Sequence, residues 1–154
     1  MAEWWGGAPA SLAAVEADHA GALAGTAPHW CYLALHHGAP AGSNQAYQPE
    51  AFHREGWWLD EHDPGVHGID QFRADADNLG RGLGTAMVRA FVARLFADPA
   101  VTRVQTDPDP ANRRAIRCYE KAGFRAAREL DTPDGRALLM YAERPSAAGQ
   151  RVLR

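Results

Sequence analysis

Residues 107 to 124 read Asp107-Pro108-Asp109-Pro110-Ala111-Asn112-Arg113-Arg114-Ala115-Ile116-Arg117-Cys118-Tyr119-Glu120-Lys121-Ala122-Gly123-Phe124. Asp109-Pro110 has the form of a helix start, with Asp as the cap and Pro at the first helical position, and predicts a helix from Ala111 to Ala122 that Gly123 ends. Ahead of it, Val101 to Thr106 predicts a short strand. Behind it, Phe124 to Leu130 and Arg136 to Glu143 predict a closing hairpin across the turn Thr132-Pro133-Asp134-Gly135. Strand, helix and hairpin in that order make this half of the chain α/β.

Moving toward the N-terminus, Leu83, Met87, Phe91 and Leu95 recur at i+4 with Val88 and Val92 beside them, which predicts a helix from Leu83 to about Phe96 whose apolar stripe packs on a sheet. The segment Leu79-Gly80-Arg81-Gly82-Leu83-Gly84-Thr85 opens that helix. Farther back, Val66 to Phe72 predicts a strand with Val66, Gly68, Asp70 and Phe72 on one face and His67, Ile69 and Gln71 on the other. Asp63-Pro64-Gly65 is its entry turn, and Trp57-Trp58-Leu59 reads as a further strand, after an irregular acidic stretch from Glu50 to Glu55. Trp30 to Leu35 and Ser43 to Tyr47 form a hairpin across Gly38 to Gly42, and Ser11 caps a helix over Leu12 to about Leu23. With no repeat and no low-complexity tract, residues 1–145 read as a single α/β domain with a mixed sheet, followed by a frayed tail, 146–154.

The 154 residues are 46% apolar and 23% charged, without an apolar run long enough to span a membrane, which excludes disordered, collagenous and membrane-bundle classes. The start carries neither a basic nor an apolar leader, so a cytoplasmic location is the expectation. Cys31 and Cys118 are too far apart for a C-x-x-C or zinc pattern, the seven histidines lack a metal spacing, and no metal is expected. Net charge is -3, unevenly spread: residues 50 to 77 carry -6 and residues 81 to 154 carry +6. Such a division suits a cation on one part and a polyphosphate on another, although solvated faces would look the same.

The glycine segment is neither a P-loop, since it lacks the Gly-Lys-Ser/Thr ending, nor G-x-G-x-x-G, since Gly80, Gly82 and Gly84 are spaced by two. Glycines let the backbone approach a ligand and the helix start behind them offers free N–H groups to a pyrophosphate; a helix cap without a ligand is the competing reading. Asn112, Ala115, Tyr119, Gly123 and Phe124 decide between them. Together with the glycine loop they resemble the GNAT acetyltransferases, in which such a loop and helix bind the pyrophosphate of acetyl-CoA. Leu79 departs from the Gln or Arg usual at its position in that superfamily.

A closer resemblance, to the aminoglycoside 6′-N-acetyltransferases, runs through Glu3 to Gly7, Gly56-Trp57-Trp58, Asp63 to Val66, Gly68 to Gln71, Leu79 to Thr85, Gln105 to Pro108, Arg114 to Phe124 and Thr132 to Gly135. Family members carry a strand and a helix ahead of the Glu-Trp-Trp-Gly-Gly block, so the resemblance implies a GNAT-like fold lacking that N-terminal strand and helix, with an unpaired sheet edge. It implies Asp70 as the base at the reacting amine and Tyr119 as the proton donor to the CoA thiolate. Glu55, Trp58, Asp107 and Asp134 would line the aminoglycoside cleft, Glu55 standing where the family often has Asp. Gly80, Arg81, Gly82, Leu83, Gly84, Thr85 and Asn112 would hold acetyl-CoA as co-substrate, with Arg113 and Arg114 further candidates for its phosphates.

Elementary chemistry agrees. An aminoglycoside is a polycation whose ammonium must lose a proton before it attacks a thioester, and a carboxylate serves both needs. A tyrosine near its ordinary value of about 10 can protonate a thiolate. The acetyl group is already activated, so Cys118, about 100° around the helix from Tyr119, need not be a nucleophile. Since neighbouring residues of a strand point to opposite sides, only one of Trp57 and Trp58 should face the ligand, and the resemblance selects Trp58. The expected partner is a cationic small molecule, with neither nucleic acid nor membrane involved; monomer and homodimer stay open. Alternatives are a GNAT enzyme for another amine, such as a hydroxamate-siderophore precursor or a protein N-terminus, and a binding protein without turnover.

Overall fold

The computed structural model describes residues 11–73 and 82–145. Glu3 to Gly7, Leu79, Gly80, Arg81 and the tail 146–154 lie outside the described residues. Helix α1 (Leu12–Leu23) begins at Ser11, whose side chain accepts the Ala14 N–H. Strands β1 (His29–His36) and β2 (Ala39–Tyr47) form an antiparallel hairpin with a far tighter turn than Gly38 to Gly42, because His37 and Gly38 both take a positive φ and let β2 start at Ala39. A 3₁₀ helix over Pro49–Glu55 replaces the irregular stretch, with Pro49 in its first turn and left-handed Gly56 closing it.

Trp57-Trp58-Leu59 is not a strand. Gly56 ends the 3₁₀ helix at φ 90° and Trp58 itself sits at φ 51°, so the chain turns through these residues and has no extended run in which to pair. Strand β3 (Val66–Arg73) follows the Asp63-Pro64-Gly65 turn, in which the Asp63 carboxylate accepts the Gly65 N–H at 2.8 Å and the Thr102 hydroxyl at 2.9 Å. Then come α2 (Leu83–Leu95), β4 (Arg103–Thr106), α3 (Arg113–Lys121), β5 (Arg125–Thr132) and β6 (Gly135–Glu143). Helix α3 starts later than Asp109-Pro110 suggests. The Asp109 side chain is spent on a turn, accepting the Ala111 N–H at 2.7 Å, and Asn112 is the cap, accepting the Ala115 N–H at 3.0 Å.

The six strands form one mixed sheet in the order β1-β2-β3-β4-β6-β5, with β3 and β4 parallel and every other pair antiparallel. One face is covered by α2 and α3: Val88, Phe91, Val92 and Leu95 pack with Ile69, Val104, Met140, Ile116, Tyr119 and Phe124. A smaller cluster of Tyr47, Trp58 and Leu139, with Phe52 and Trp57 against it, forms around the cleft described below. The β3–β4 ladder runs from Val66–Arg103 only to Gly68–Gln105, whereas β3 stays paired with β2 as far as Arg73. The middle of the sheet therefore opens between β3 and β4, and the residues just past that point, Asp70 on one side and Thr106-Asp107 on the other, flank the opening. No helix among the described residues is long and apolar enough to cross a membrane.

Candidate active site

At the opening lies a cleft of about 690 Å³, lined by Asp70, Asp107, Asp134, Tyr119, Trp57 and Trp58 among others. Five residues picked from the sequence as catalytic or substrate-binding, Asp70, Tyr119, Trp58, Asp107 and Asp134, thus share one cavity, and Asn112 lines it too. Glu55 is not among its lining residues; it is the exposed last residue of the 3₁₀ helix. Both tryptophans face the cleft, against the expectation of one, because the turn at Trp58 removes the alternation of a strand; their ring centroids are 5.5 Å apart.

Asp70 projects from β3 on the side opposite Ile69, which is buried in the helix-side core. Burial pushes its carboxyl up to about 7, and Gln45 on the paired position of β2 offers its side-chain amide to Oδ2 at 3.5 Å. A carboxyl poised there can take a proton near neutrality, unlike one at its ordinary value of about 3.9. Asp107 is raised well above the ordinary carboxylate range by burial, then by the charges of Asp70 and Asp134. Three carboxylates gathered in one cleft, with Asp107 raised by the charges of the other two, are a site waiting for positive charge.

Tyr119, on the inner face of α3, is buried against Phe124 at 5.4 Å between ring centroids. Its phenol is well above the ordinary value, chiefly through burial and further through Asp70, with a hydrogen bond to Thr106 working the other way. The expectation of a tyrosine near 10 is therefore corrected: this phenol keeps its proton at all ordinary pH. Cys118, half-buried, accepts the Thr85 hydroxyl at 3.5 Å, so its sulfur is turned from the cleft toward α2.

Sequence reasoning missed Tyr47, Gln45, Gln71 and Thr106, all of which line the cleft. Tyr47 is buried, stacks 6.4 Å from Trp58 and packs edge-on to Phe52. Its ring lies where a Cβ at Gly68 would come within 2.2 Å, so Gly68, its partner in the β2–β3 ladder, makes the space. Gln71 donates to the Gly84 carbonyl at 3.1 Å. Gln71 and Thr106 fall within the blocks Gly68 to Gln71 and Gln105 to Pro108 that carry the family resemblance, and the face assignment set Gln71 opposite Asp70; no such signal marked Gln45 or Tyr47.

The glycine-led helix start keeps features suited to a phosphate. Gly82 caps α2 at φ 81°, no side chain caps the helix, and a Cβ at Gly82 would meet nothing within 4 Å. Leu83, Gly84 and Thr85 form the first turn behind it, with N–H groups not used in the helix ladder. Arg113 and Arg114 are exposed at the start of α3. No group of three or more metal-ligating side chains occurs among the described residues.

The family model of the acetyltransferase (GNAT) domain matches residues 1–132. An aminoglycoside N(6′)-acetyltransferase type 1 of Klebsiella pneumoniae is 48% identical over 146 residues, 94% of this chain and 72% of that protein. A kanamycin resistance protein of Rhizobium radiobacter is 60% identical over 88 residues, 57% of this chain and 82% of that protein. Among solved structures, AAC(6′)-Ib in complex with coenzyme A and kanamycin superposes with a TM-score of 0.86 at 48% identity, covering 93% of this chain and 81% of that one. With the matched region taking in the Asp70 strand, the glycine-led helix and the Tyr119 helix around one cleft, the chain belongs to the GNAT acetyltransferases.

Proposed function

We propose that this protein transfers the acetyl group of acetyl-CoA to the 6′-amino group of aminoglycosides by direct attack within a ternary complex, in the cytoplasm, and thereby confers resistance to them. The observation that carries the reading is the convergence of Asp70, Asp107 and Asp134 with Tyr119 in one cleft beside a glycine-led helix start. Extensive identity to named aminoglycoside acetyltransferases supports it.

The sequence of events follows from the residues. Asp107 and Asp134 hold the polycation, and Trp57, Trp58 and Tyr47 give its sugar rings a flat apolar wall. Asp70 accepts a proton from the 6′-ammonium, and the free amine attacks the thioester carbonyl carbon. As the tetrahedral adduct collapses, the C–S bond breaks, Tyr119 donates to the departing thiolate, and the second proton leaving the nitrogen restores the Tyr119 phenol. The first proton leaves to solvent by way of Asp70, which returns to its carboxylate. The first turn of α2 receives the pyrophosphate of the donor. Cys118 forms no acyl intermediate, since its sulfur is engaged by Thr85.

The acidic lining disfavours neutral or anionic acceptors, and its three carboxylates suit a polycation over a monoamine. Release of free CoA thiol is the test. Aminoglycosides with a 6′-amine should turn over and their 6′-hydroxyl analogues should not; equal turnover of both sets would overturn the regiochemistry, and none with either would leave a GNAT enzyme for another amine or a binding protein.

A further inference from the structure

We infer that Gln71 and Cys118, the chain neighbours of Asp70 and Tyr119, are positioning residues that clamp the first turn of α2 to the proposed base and acid. The inference rests on the acetyltransferase reading and adds to it the means by which donor and acceptor are held in register.

Alternation along β3 sends Asp70 into the cleft and Gln71 toward α2, where its Nε2 donates to the Gly84 carbonyl at 3.1 Å. That oxygen has a second lone pair, so the bond adds to the helix ladder and does not replace it. The next residue, Thr85, donates its hydroxyl to Cys118 Sγ at 3.5 Å, and Cys118 immediately precedes Tyr119 on α3. Two consecutive residues of one helical turn are thus tied to the two elements that carry the reacting side chains. Core packing does not do this job: the buried stripe of α2 begins only at Met87, and Leu83, Gly84 and Thr85 are half-buried. Each bond alone contributes modestly to stability. Their effect on rate is larger, because a misplacement of about 1 Å between reacting groups can cost on the order of 10²-fold.

Gln71→Glu keeps the side-chain shape but presents a carboxylate that cannot donate, Gln71→Leu removes the donor at similar volume, and Cys118→Ala removes the sulfur, while Cys118→Ser keeps an acceptor. At pH 8 we expect the calorimetric Kd for CoA to rise about three- to tenfold in the first three variants, and kcat to fall by about tenfold. The aminoglycoside KM should stay within about twofold in Cys118→Ala, whose side chain does not line the cleft, and Cys118→Ser should stay near wild type. Lowering the pH toward about 4.3 returns a donor O–H to Gln71→Glu, so its CoA affinity should recover relative to Gln71→Leu. Wild-type CoA affinity and kcat in Gln71→Leu and Cys118→Ala would overturn the clamp, as would parallel losses for both substrates with a lower Tm. A wild-type protein that binds no CoA would overturn the acetyltransferase reading with it; a wild type that binds, beside variants that bind equally well, would overturn the clamp alone.

Discussion

Asp70, the proposed base, is the residue on which catalysis and stability would pull in opposite directions. Its carboxyl is held up to about 7 by burial, whereas in the unfolded chain it titrates near 3.9. Between those values the folded protein keeps a proton that the unfolded chain has lost. Stability therefore falls as pH rises through that window, and the full cost is present above about 7. Asp70→Asn carries no such cost. Its melting temperature should exceed that of wild type at pH 8, and the advantage should shrink toward pH 4, where the folded carboxyl is neutral and the unfolded one is about half protonated. The same substitution removes the proposed base, so kcat should drop by about 10² to 10⁴. Wild-type kcat/KM should climb with pH through about 7, as the free enzyme's base ionises. A variant less stable than wild type at pH 8, with kcat intact, would make Asp70 a structural carboxylate.

At the scale of elements, the joint between β2 and β3 shows how one glycine shapes the site. Gly68 leaves room for the Tyr47 ring, which is pinned between Phe52 and Trp58 and cannot swing aside. Gly68→Ala overpacks this point and should destabilise by about 1–3 kcal/mol, with altered tryptophan fluorescence from the displaced stack. An unchanged urea midpoint and emission spectrum would show that the ring relocates freely. This joint was not legible in the sequence, since nothing in Tyr47 or Gly68 announces that they are cross-strand partners. Legibility followed locality. Helix α1 could be read to the residue from Ser11, α2 from its i+4 stripe, and the start of β3 from the Asp63 turn, all signals carried within a few residues of the element. The aromatic run at Trp57 and Trp58 misled for the opposite reason: its strand propensity is overridden by the turn at Gly56 and by stacking on Tyr47. At α3 the Asp109-Pro110 signal placed the start too early, because the Asp109 side chain holds the Ala111 N–H and Asn112 caps the helix.

Over the whole molecule, the acidic run that drew attention in the sequence divides into two kinds of carboxylate. Asp60 pairs with Arg128, Glu61 with Arg103 at 2.8 Å, and Asp63 holds the β3 turn, so these acids fasten the 57–65 segment to the sheet. The charge that faces the cleft comes instead from Asp70, Asp107 and Asp134, which are scattered through the chain and gathered where β3 and β4 part. Composition could reveal the excess of acid but not this sorting, because it depends on the sheet order. Asp107 tests the gathered charge best, since burial and both neighbouring carboxylates push its carboxyl upward. If its role is to hold a polycation, Asp107→Asn should raise the aminoglycoside KM several-fold, on the order of the 5- to 150-fold of 1–3 kcal/mol, and leave the acetyl-CoA KM nearly unchanged. It should also raise Tm at neutral pH, because the substitution relieves repulsion that is unbalanced until substrate binds. A carboxylate that served only to fix the turn at Pro108 would behave in reverse, losing Tm with both KM values intact. Salt separates the two further. In the wild type the drug KM should rise between about 10 mM and 1 M salt, as the screening length shortens from about 30 Å to about 3 Å, whereas a KM indifferent to salt would remove electrostatic capture from the account.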